Sequence, residues 1–198
     1  MEKNTNFIRS SSHIPSLPSV IKKFIPDRKI IDDLSFLEEI YKTPPLAGSK
    51  PLAEQLTSEK AILGNLKNGR NHDVCEMSVL DHITVTKLQK RKIYNTLSNL
   101  YPKSSILLSG HFFYPENGFM SWHTNDDSPG RRVYLTYTEF PGESFFKYVD
   151  GQKVISDPDY EGWTCREFTT GGEISCWHSV YAGKPRISIG FRVIQNLL

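Results

Sequence analysis

Residues 107–138 read LLSGHFFYPENGFMSWHTNDDSPGRRVYLTYT, three aromatic-rich runs separated by Pro-Glu-Asn-Gly and by Thr-Asn-Asp-Asp-Ser-Pro-Gly. Aromatic and β-branched side chains suit a pleated, half-buried surface, while Gly, Pro, Asn and Asp supply the backbone angles of turns. The pattern starts at SILLSGHFFY (105–114) and continues through SFFKYV (144–149), WTCREFTT (163–170), EISCWHSVY (173–181) and RISIGFRVI (186–194). Six to eight strands in under a hundred residues specify a sandwich or barrel. No repeat of solenoid period occurs.

Upstream of Pro102 the period changes to that of helices. Ile30, Ile31, Leu34, Leu37, Ile40 and Tyr41 recur at spacings of three and four behind Asp27, a candidate cap, until Pro44-Pro45 stops the run. A second helix is expected from Pro51 to about Gly64, burying Leu52, Leu56, Ile62, Leu63 and Leu66. A third is expected from Val85 to Tyr101, with Leu88, Tyr94, Leu97 and Tyr101 on one side. Residues 1–26 are polar and rich in Pro and Ser, as in a loose or wrapping arm. The expected organisation is one α+β domain: an arm (1–26), a helical support (27–102) and an all-β core (103–198).

With 38% hydrophobic residues, wholesale disorder is excluded, and a net charge of +2 does not by itself call for a nucleic-acid partner. Lys87, Lys90, Arg91 and Lys92 make one helix locally basic, which fits a solvated face or a contact with nucleic acid or an acidic substrate. No apolar run reaches transmembrane length, and the N-terminus lacks a secretory apolar region, so a cytoplasmic protein without membrane contact is expected. Cys75, Cys165 and Cys176 form no Cys-x-x-C pair, which argues for free thiols rather than a disulfide framework or thiolate zinc site. Oligomeric state leaves no mark in the sequence.

Chemistry is expected where histidines sit late in strands beside turns. His123 ends GFMSWH, His178 lies 55 residues on, and Arg186 follows eight residues later. A non-haem iron site needs two neutral imidazoles and an oxygen ligand on one face of the metal, leaving the other face open. Side chains at i and i+2 share a strand face, so His123 and Asn125 can point together, as can Arg186, Ser188, Gly190 and Arg192. Arg186 with Ser188 offers a fork and a hydroxyl to one carboxylate.

These residues resemble the Fe(II)/2-oxoglutarate-dependent dioxygenase superfamily, whose motif is His-x-Asp/Glu, a distal His, and Arg followed two residues later by Ser or a similar group. The resemblance covers roughly residues 103–195. It implies a double-stranded β-helix core of the jelly-roll or cupin-like type, with Fe(II), 2-oxoglutarate and O₂ as cofactor and co-substrates. Tyr114, nine residues before His123, and the spacing of Arg186 and Arg192 resemble the alkylation-repair (AlkB-like) branch. By this resemblance His123 and His178 hold metal, while Arg186, Ser188 and Tyr114 hold 2-oxoglutarate. Decarboxylation of the keto acid to succinate and CO₂ would then be coupled to hydroxylation or demethylation.

Position 125 departs from the motif, since Asn stands where the family places a carboxylate. Three readings stay open: Asn125 occupies the ligand position beside two histidines, a bulge brings in Asp126 instead, or the site binds without oxidising. The last corresponds to a non-catalytic β-helix binding module. A metalloenzyme that uses no 2-oxoglutarate is a further alternative, and it predicts that Arg186 is dispensable. Arg131 and Arg132, beside the metal loop, and Arg192 are candidates for holding an anionic substrate. Arg131 and Arg132 fit equally a charged strand edge, and Arg192 fits a pair with a buried acid. Trp122 and Trp177 precede the metal histidines and by alternation face away from them, toward the helices. His111 reads as structural or substrate-facing, and His13, His72 and His82 have no ligand set nearby. The substrate itself, whether small molecule, protein or nucleic acid, is not specified.

Overall fold

The computed structural model describes residues 21–67, 78–151, 153–171 and 175–195. Among these residues five helices and eleven strands follow one another in a clear division. The helical part holds α1 (Arg28–Leu34), α2 (Phe36–Tyr41), α3 (Lys50–Leu56), α4 (Glu59–Lys67) and α5 (Lys87–Leu100), with three short strands, β1 (Lys22–Phe24), β2 (Ser78–Val79) and β3 (Asp81–His82). The remainder is all strand: β4 (Ser104–Tyr114), β5 (Gly118–His123), β6 (Gly130–Thr138), β7 (Ser144–Asp150), β8 (Lys153–Pro158), β9 (Gly162–Thr170), β10 (His178–Ala182) and β11 (Arg186–Gln195).

These strands form two antiparallel sheets. The larger runs β1-β9-β6-β11-β4-β3 and the smaller β2-β5-β10-β7-β8. Tyr114 and Phe168 of the larger sheet pack with Phe146, Val180 and Ala182 of the smaller, so the sheets face each other across a shared interior. Alternation along β11 sends Ile187, Ile189, Phe191 and Val193 to the opposite face. There they join Leu135 and Val133 of β6 and the buried Ile30, Leu34, Leu37, Ile93 and Leu97 of α1, α2 and α5. The smaller sheet is covered by α4, where Ile62 packs with Trp122 and Trp177. Both indoles therefore face away from the interior, as alternation requires.

Several element boundaries differ from the sequence expectation. The first helix is interrupted at Ser35, and the second is two helices separated by Thr57 and Ser58. Thr57 turns its hydroxyl back onto the Ala53 carbonyl at 2.8 Å, the local competition by which Thr ends helices. α5 starts at a capping box in which Thr86 and Gln89 satisfy each other's backbone donors. Its buried stripe is Ile93, Thr96 and Leu97, whereas Leu88 is 66% exposed. Leu88 lies five residues before Ile93, about 140° around the helix from it. Leu63, also expected inside, is half exposed. Lys22–Phe24 of the expected arm adds an edge strand to β9, and residues 1–20 lie outside the described residues, as do His13, His72 and Cys75. β8 was not anticipated, because KVISDP has neither aromatic residues nor a clear apolar alternation; it pairs with β7 as a hairpin. Cys165 and Cys176 are buried free thiols, and burial pushes the Cys165 pKa up to about 12. No helix among the described residues is long and apolar enough to cross a membrane.

Candidate functional site

The two histidines meet because β5 and β10 are neighbours in the smaller sheet and His123 pairs directly with His178. Directly opposed residues share a face, and the two ring centroids stand 4.1 Å apart. The register slips between His178 and Val180, which pair with His123 and Met120, so β5 carries one extra residue. That bulge resets the alternation and lets Met120 and His123, three residues apart, both line the interior cavity.

Each imidazole is oriented in the same way. His123 Nδ1 lies 2.8 Å from the Ser121 carbonyl and His178 Nδ1 lies 2.8 Å from the Cys176 carbonyl. A carbonyl can only accept, so both Nδ1 atoms carry the proton and both Nε2 lone pairs face the cavity side. Phe146 stacks on His178 at 5.3 Å, and Phe168 and Tyr134 meet it edge-on. Burial in this apolar box lowers the His123 pKa to about 4, aided by the positive charge of Arg132. Burial, then His123, push that of His178 well below its ordinary value. Two neutral, pre-oriented imidazoles are the form that binds a transition metal.

The chain leaves the strand after His123, and Asn125 adopts φ 61°, a left-handed conformation that Asn tolerates better than most residues. Its amide lies 3.0 Å from His178 Nε2 and 3.5 Å from the Tyr134 hydroxyl. Asp126 points elsewhere. Its carboxylate accepts from the Gly171 backbone N–H at 3.0 Å and from the Ser175 hydroxyl, tying the loop to the chain between β9 and β10. No group of three His, Cys, Asp or Glu side chains suited to a metal occurs among the described residues. At this position the Asn125 amide nitrogen donates to the Nε2 lone pair of His178.

A cavity of about 300 Å³ extends from the histidines between the sheets. Tyr114, Phe112, Tyr134 and Ser188 line it, and Ser78, His82 and Ser109 border it farther out. At one end Tyr114 forms the wall, and the Arg186 guanidinium lies behind it, 5.4 Å from the ring centroid. Arg186 is fully buried and donates from Nε to Asp159 Oδ2 at 2.7 Å, while both terminal nitrogens have no partner among the described residues. Buried guanidinium N–H groups without acceptors are costly, which marks this corner as a place for an anion.

The other arginines have different surroundings. Arg132 is buried and reaches the loop after β5, donating to Thr170 Oγ1 at 3.2 Å and to the carbonyls of Asn125 and Ser128. Arg131 faces the helices, paired with Glu167 and stacked 4.8 Å from the Tyr101 ring. Arg192 pairs in register with Arg132 across β11 and β6 and does not line the cavity. His111 is anchored on the Ile83 carbonyl at 2.5 Å, whereas His82, read as having no role, borders the cavity. Tyr134, Phe112 and Met120 were missed as wall residues. Tyr134 was within reach of sequence reasoning, since it shares a strand face with Arg132, but its relation to His178 depends on which sheets oppose.

Comparison with protein-family models gives no match, and comparison with curated proteins gives none either. Among solved structures the chain is similar to a 2OG-Fe(II) oxygenase family oxidoreductase from Burkholderia pseudomallei, with 8% identity, 60% of this chain and 67% of that chain covered, and a TM-score of 0.41. It is also similar to a prolyl hydroxylase from Trichoplax adhaerens in complex with a hypoxia inducible factor peptide fragment (10% identity, 89% and 84% covered, TM-score 0.49). A Pseudomonas putida prolyl-4-hydroxylase aligns over 89% of this chain and 93% of its own, at 12% identity and a TM-score of 0.42. At such values the weight of any assignment falls on the residues of the site.

Proposed function

We propose that this chain is a double-stranded β-helix oxygenase that uses Fe(II), 2-oxoglutarate and O₂ to hydroxylate or demethylate a substrate entering from the Ser78, His82 and Ser109 side. The observation that carries this reading is a pair of features. Two neutral imidazoles converge at one place, with the Asn125 amide against His178 Nε2, and a buried guanidinium with two unpartnered nitrogens lies behind Tyr114 at another. A metal that displaces the amide nitrogen would take up the first, and the far carboxylate of a keto acid would take up the second. Bound there, Fe(II) and 2-oxoglutarate would supply the oxidising chemistry.

The protein's own part is positioning and exclusion of water. His123 and His178 would hold the metal through Nε2. Asn125 is the third donor in this reading, turning its amide so that oxygen rather than nitrogen faces inward. Asp126 is occupied in holding the loop. Arg132, gripping the carbonyls of residues 125 and 128, keeps Asn125 in its left-handed conformation. Arg186 and Ser188 would take the far carboxylate, and the Tyr114 ring must swing aside to let it reach the guanidinium. Arg131 and Arg192 have no assigned role toward substrate, and the alkylation-repair resemblance then rests on Tyr114 alone.

A second reading has one observation in its favour. The Asn125 amide nitrogen sits against His178 Nε2, which caps the metal-binding lone pair as a binding module without iron would require. Anaerobic addition of Fe(II) and 2-oxoglutarate separates the two, because the chelate has a visible charge-transfer band. The oxygenase reading expects the band in the parent protein, its loss in His178→Ala, weakening in Asn125→Ala and persistence in Asp126→Ala. No band at millimolar metal and keto acid leaves the binding module.

A further inference from the structure

Behind the Arg186 corner lies a buried charge cluster that neither the metal nor the cavity accounts for. Asp159 comes from the turn after β8 and is 3% exposed. Its backbone N–H donates to the Ser144 carbonyl at 2.9 Å and its carbonyl accepts from Gly142, so the residue is fixed from both sides. One carboxylate oxygen accepts from Arg186 Nε at 2.7 Å. The other accepts from Arg166 Nη1 and, at 3.3 Å, from the Thr136 hydroxyl, which it shares with the Thr164 carbonyl at the same distance. Arg166 is itself fully buried. It donates from Nε to Asp157 Oδ2 at 2.6 Å and from Nη2 to the carbonyls of Asp157 and Pro158 at 3.0 Å. Lys23 of the edge strand completes the array, 2.9 Å from Asp157.

The two arginines differ in how they are satisfied. Arg166 uses Nε and both terminal nitrogens on protein oxygens, whereas among the described residues Arg186 has a partner only at Nε. A planar guanidinium held by Nε alone has its terminal fork directed away from that bond. Burial alone would raise the Asp159 pKa, yet attraction to Arg186 and Arg166 holds it below its ordinary 3.8, so the carboxylate stays charged. The charges are two carboxylates (Asp157, Asp159) against Arg166, Arg186 and Lys23, leaving one positive charge in excess.

We infer that Asp159 is a positioning residue that orients Arg186, braced by Arg166 and Thr136, so that the fork is presented to the distal carboxylate of a dicarboxylic keto acid. This rests on the proposed role of Arg186 and goes beyond it, since it explains why that arginine makes a single protein bond. An asparagine at 159 cannot substitute. Its one amide oxygen accepts from one arginine, and its amide nitrogen then meets the donor of the other.

The test compares two ligands by calorimetry, on the full chain loaded with redox-silent Mn(II) and without oxygen. They are 2-oxoglutarate and 2-oxopentanoate, which keeps the keto-acid end and lacks the far carboxylate. The parent should prefer 2-oxoglutarate on the order of 100-fold. Asp159→Asn should cut that preference about tenfold while leaving 2-oxopentanoate affinity unchanged. Thr136→Val, which removes only a hydroxyl from the brace, should cut it about two- to threefold. Asp157→Asn, which touches Arg166 and not Arg186, should leave it intact.

The sign is informative. Deleting the Asp159 charge makes the corner more positive, so charge alone would tighten 2-oxoglutarate binding. A preference that rises or holds in Asp159→Asn overturns the inference, as does an equal loss in Asp157→Asn. If Asp159→Asn does not fold, Thr136→Val against Asp157→Asn decides on the same ratio. A parent that binds both acids equally removes the Arg186 anchor itself, a failure distinct from loss of the positioning role alone.

Discussion

The two faces of the larger sheet are built from the same strands and could hardly differ more. Toward the helices, β11 presents Ile187, Ile189, Phe191 and Val193, β6 presents Val133 and Leu135, and β9 presents Trp163 and Cys165. Toward the smaller sheet the alternate residues are Arg186, Ser188 and Gly190, then Arg132, Tyr134 and Thr136, then Thr164, Arg166 and Phe168. Both faces are buried. Apolar burial on the helix side stabilises the fold, at about 25 cal/mol for each Å² removed from water. Burying arginine and threonine on the inner side stabilises little and costs desolvation wherever a partner is missing. The helix side thus holds the domain together, and under the proposed function the inner side is where ligands would be held.

That division can be broken by substitution on either side. Ile189→Ala removes a fully buried side chain from the helix face and should cost about 2–5 kcal/mol of stability by urea denaturation. In the folded fraction, 2-oxoglutarate affinity should be unchanged. Arg186→Met, three residues away on the inner face, should weigh mainly on the ligand. Asp159 keeps its Arg166 partner on Oδ1 but Oδ2 loses Arg186, while an apolar chain replaces two unpartnered nitrogens, so stability should fall by about 1–3 kcal/mol. Affinity for 2-oxoglutarate should fall on the order of 100-fold, measured with Mn(II). If Arg186→Met unfolds the protein while Ile189→Ala weakens the ligand, the assignment of the two faces is wrong.

The same contrast marks how much the sequence could reveal. Alternation made the strands of the β region legible, because aromatic and β-branched residues punctuated by Gly, Pro and Asn have few other uses. It also placed Trp122 and Trp177 on the outer side, while the likeness to a known motif drew His123, His178 and Arg186 into one set. Residues whose position depends on chain reversal were not legible. Asn125 is in reach of His178 through a positive φ after the strand, not by i, i+2 alternation, and the β5 bulge precedes His123 rather than following it. Asp159 and Arg166 are ordinary surface residue types in DPDYEGWTCREF, and only the pairing of β6 with β9 and the turn after β8 puts them behind Arg186. Helix phase failed at Leu88 and Leu63 because a short amphipathic stretch permits neighbouring faces.

Acid sharpens the comparison on the smaller sheet's inner face. His123 and His178 are buried neutral, with pKa values lowered by desolvation, His123 to about 4. The unfolded chain takes up a proton on each near 6.5 and the folded chain does not, so their full contribution is present above 6.5 and is lost as pH falls toward 4. Between pH 7 and pH 5 the metal-free protein should lose roughly 2 kcal/mol for each of the two. His123→Gln should remove about half of that slope in urea titrations at the two pH values. A pH-independent midpoint would mean that the imidazoles are solvated and the apolar box is open.

The smallest expected effect lies at Ser188, where the inner face is nearly neutral to the fold. Its side chain borders the cavity one strand step from Arg186, and no apolar packing depends on its oxygen. Ser188→Ala should therefore shift stability by no more than about 0.5 kcal/mol. The hydroxyl is proposed to donate to the same carboxylate as Arg186, a bond of about 1 kcal/mol, so 2-oxoglutarate should bind about fivefold more weakly. Affinity for 2-oxopentanoate, without that carboxylate, should not change. Equal weakening of both acids would move Ser188 from the far end of the keto acid to the metal end, and would require the ligand to lie across β11 in the opposite sense.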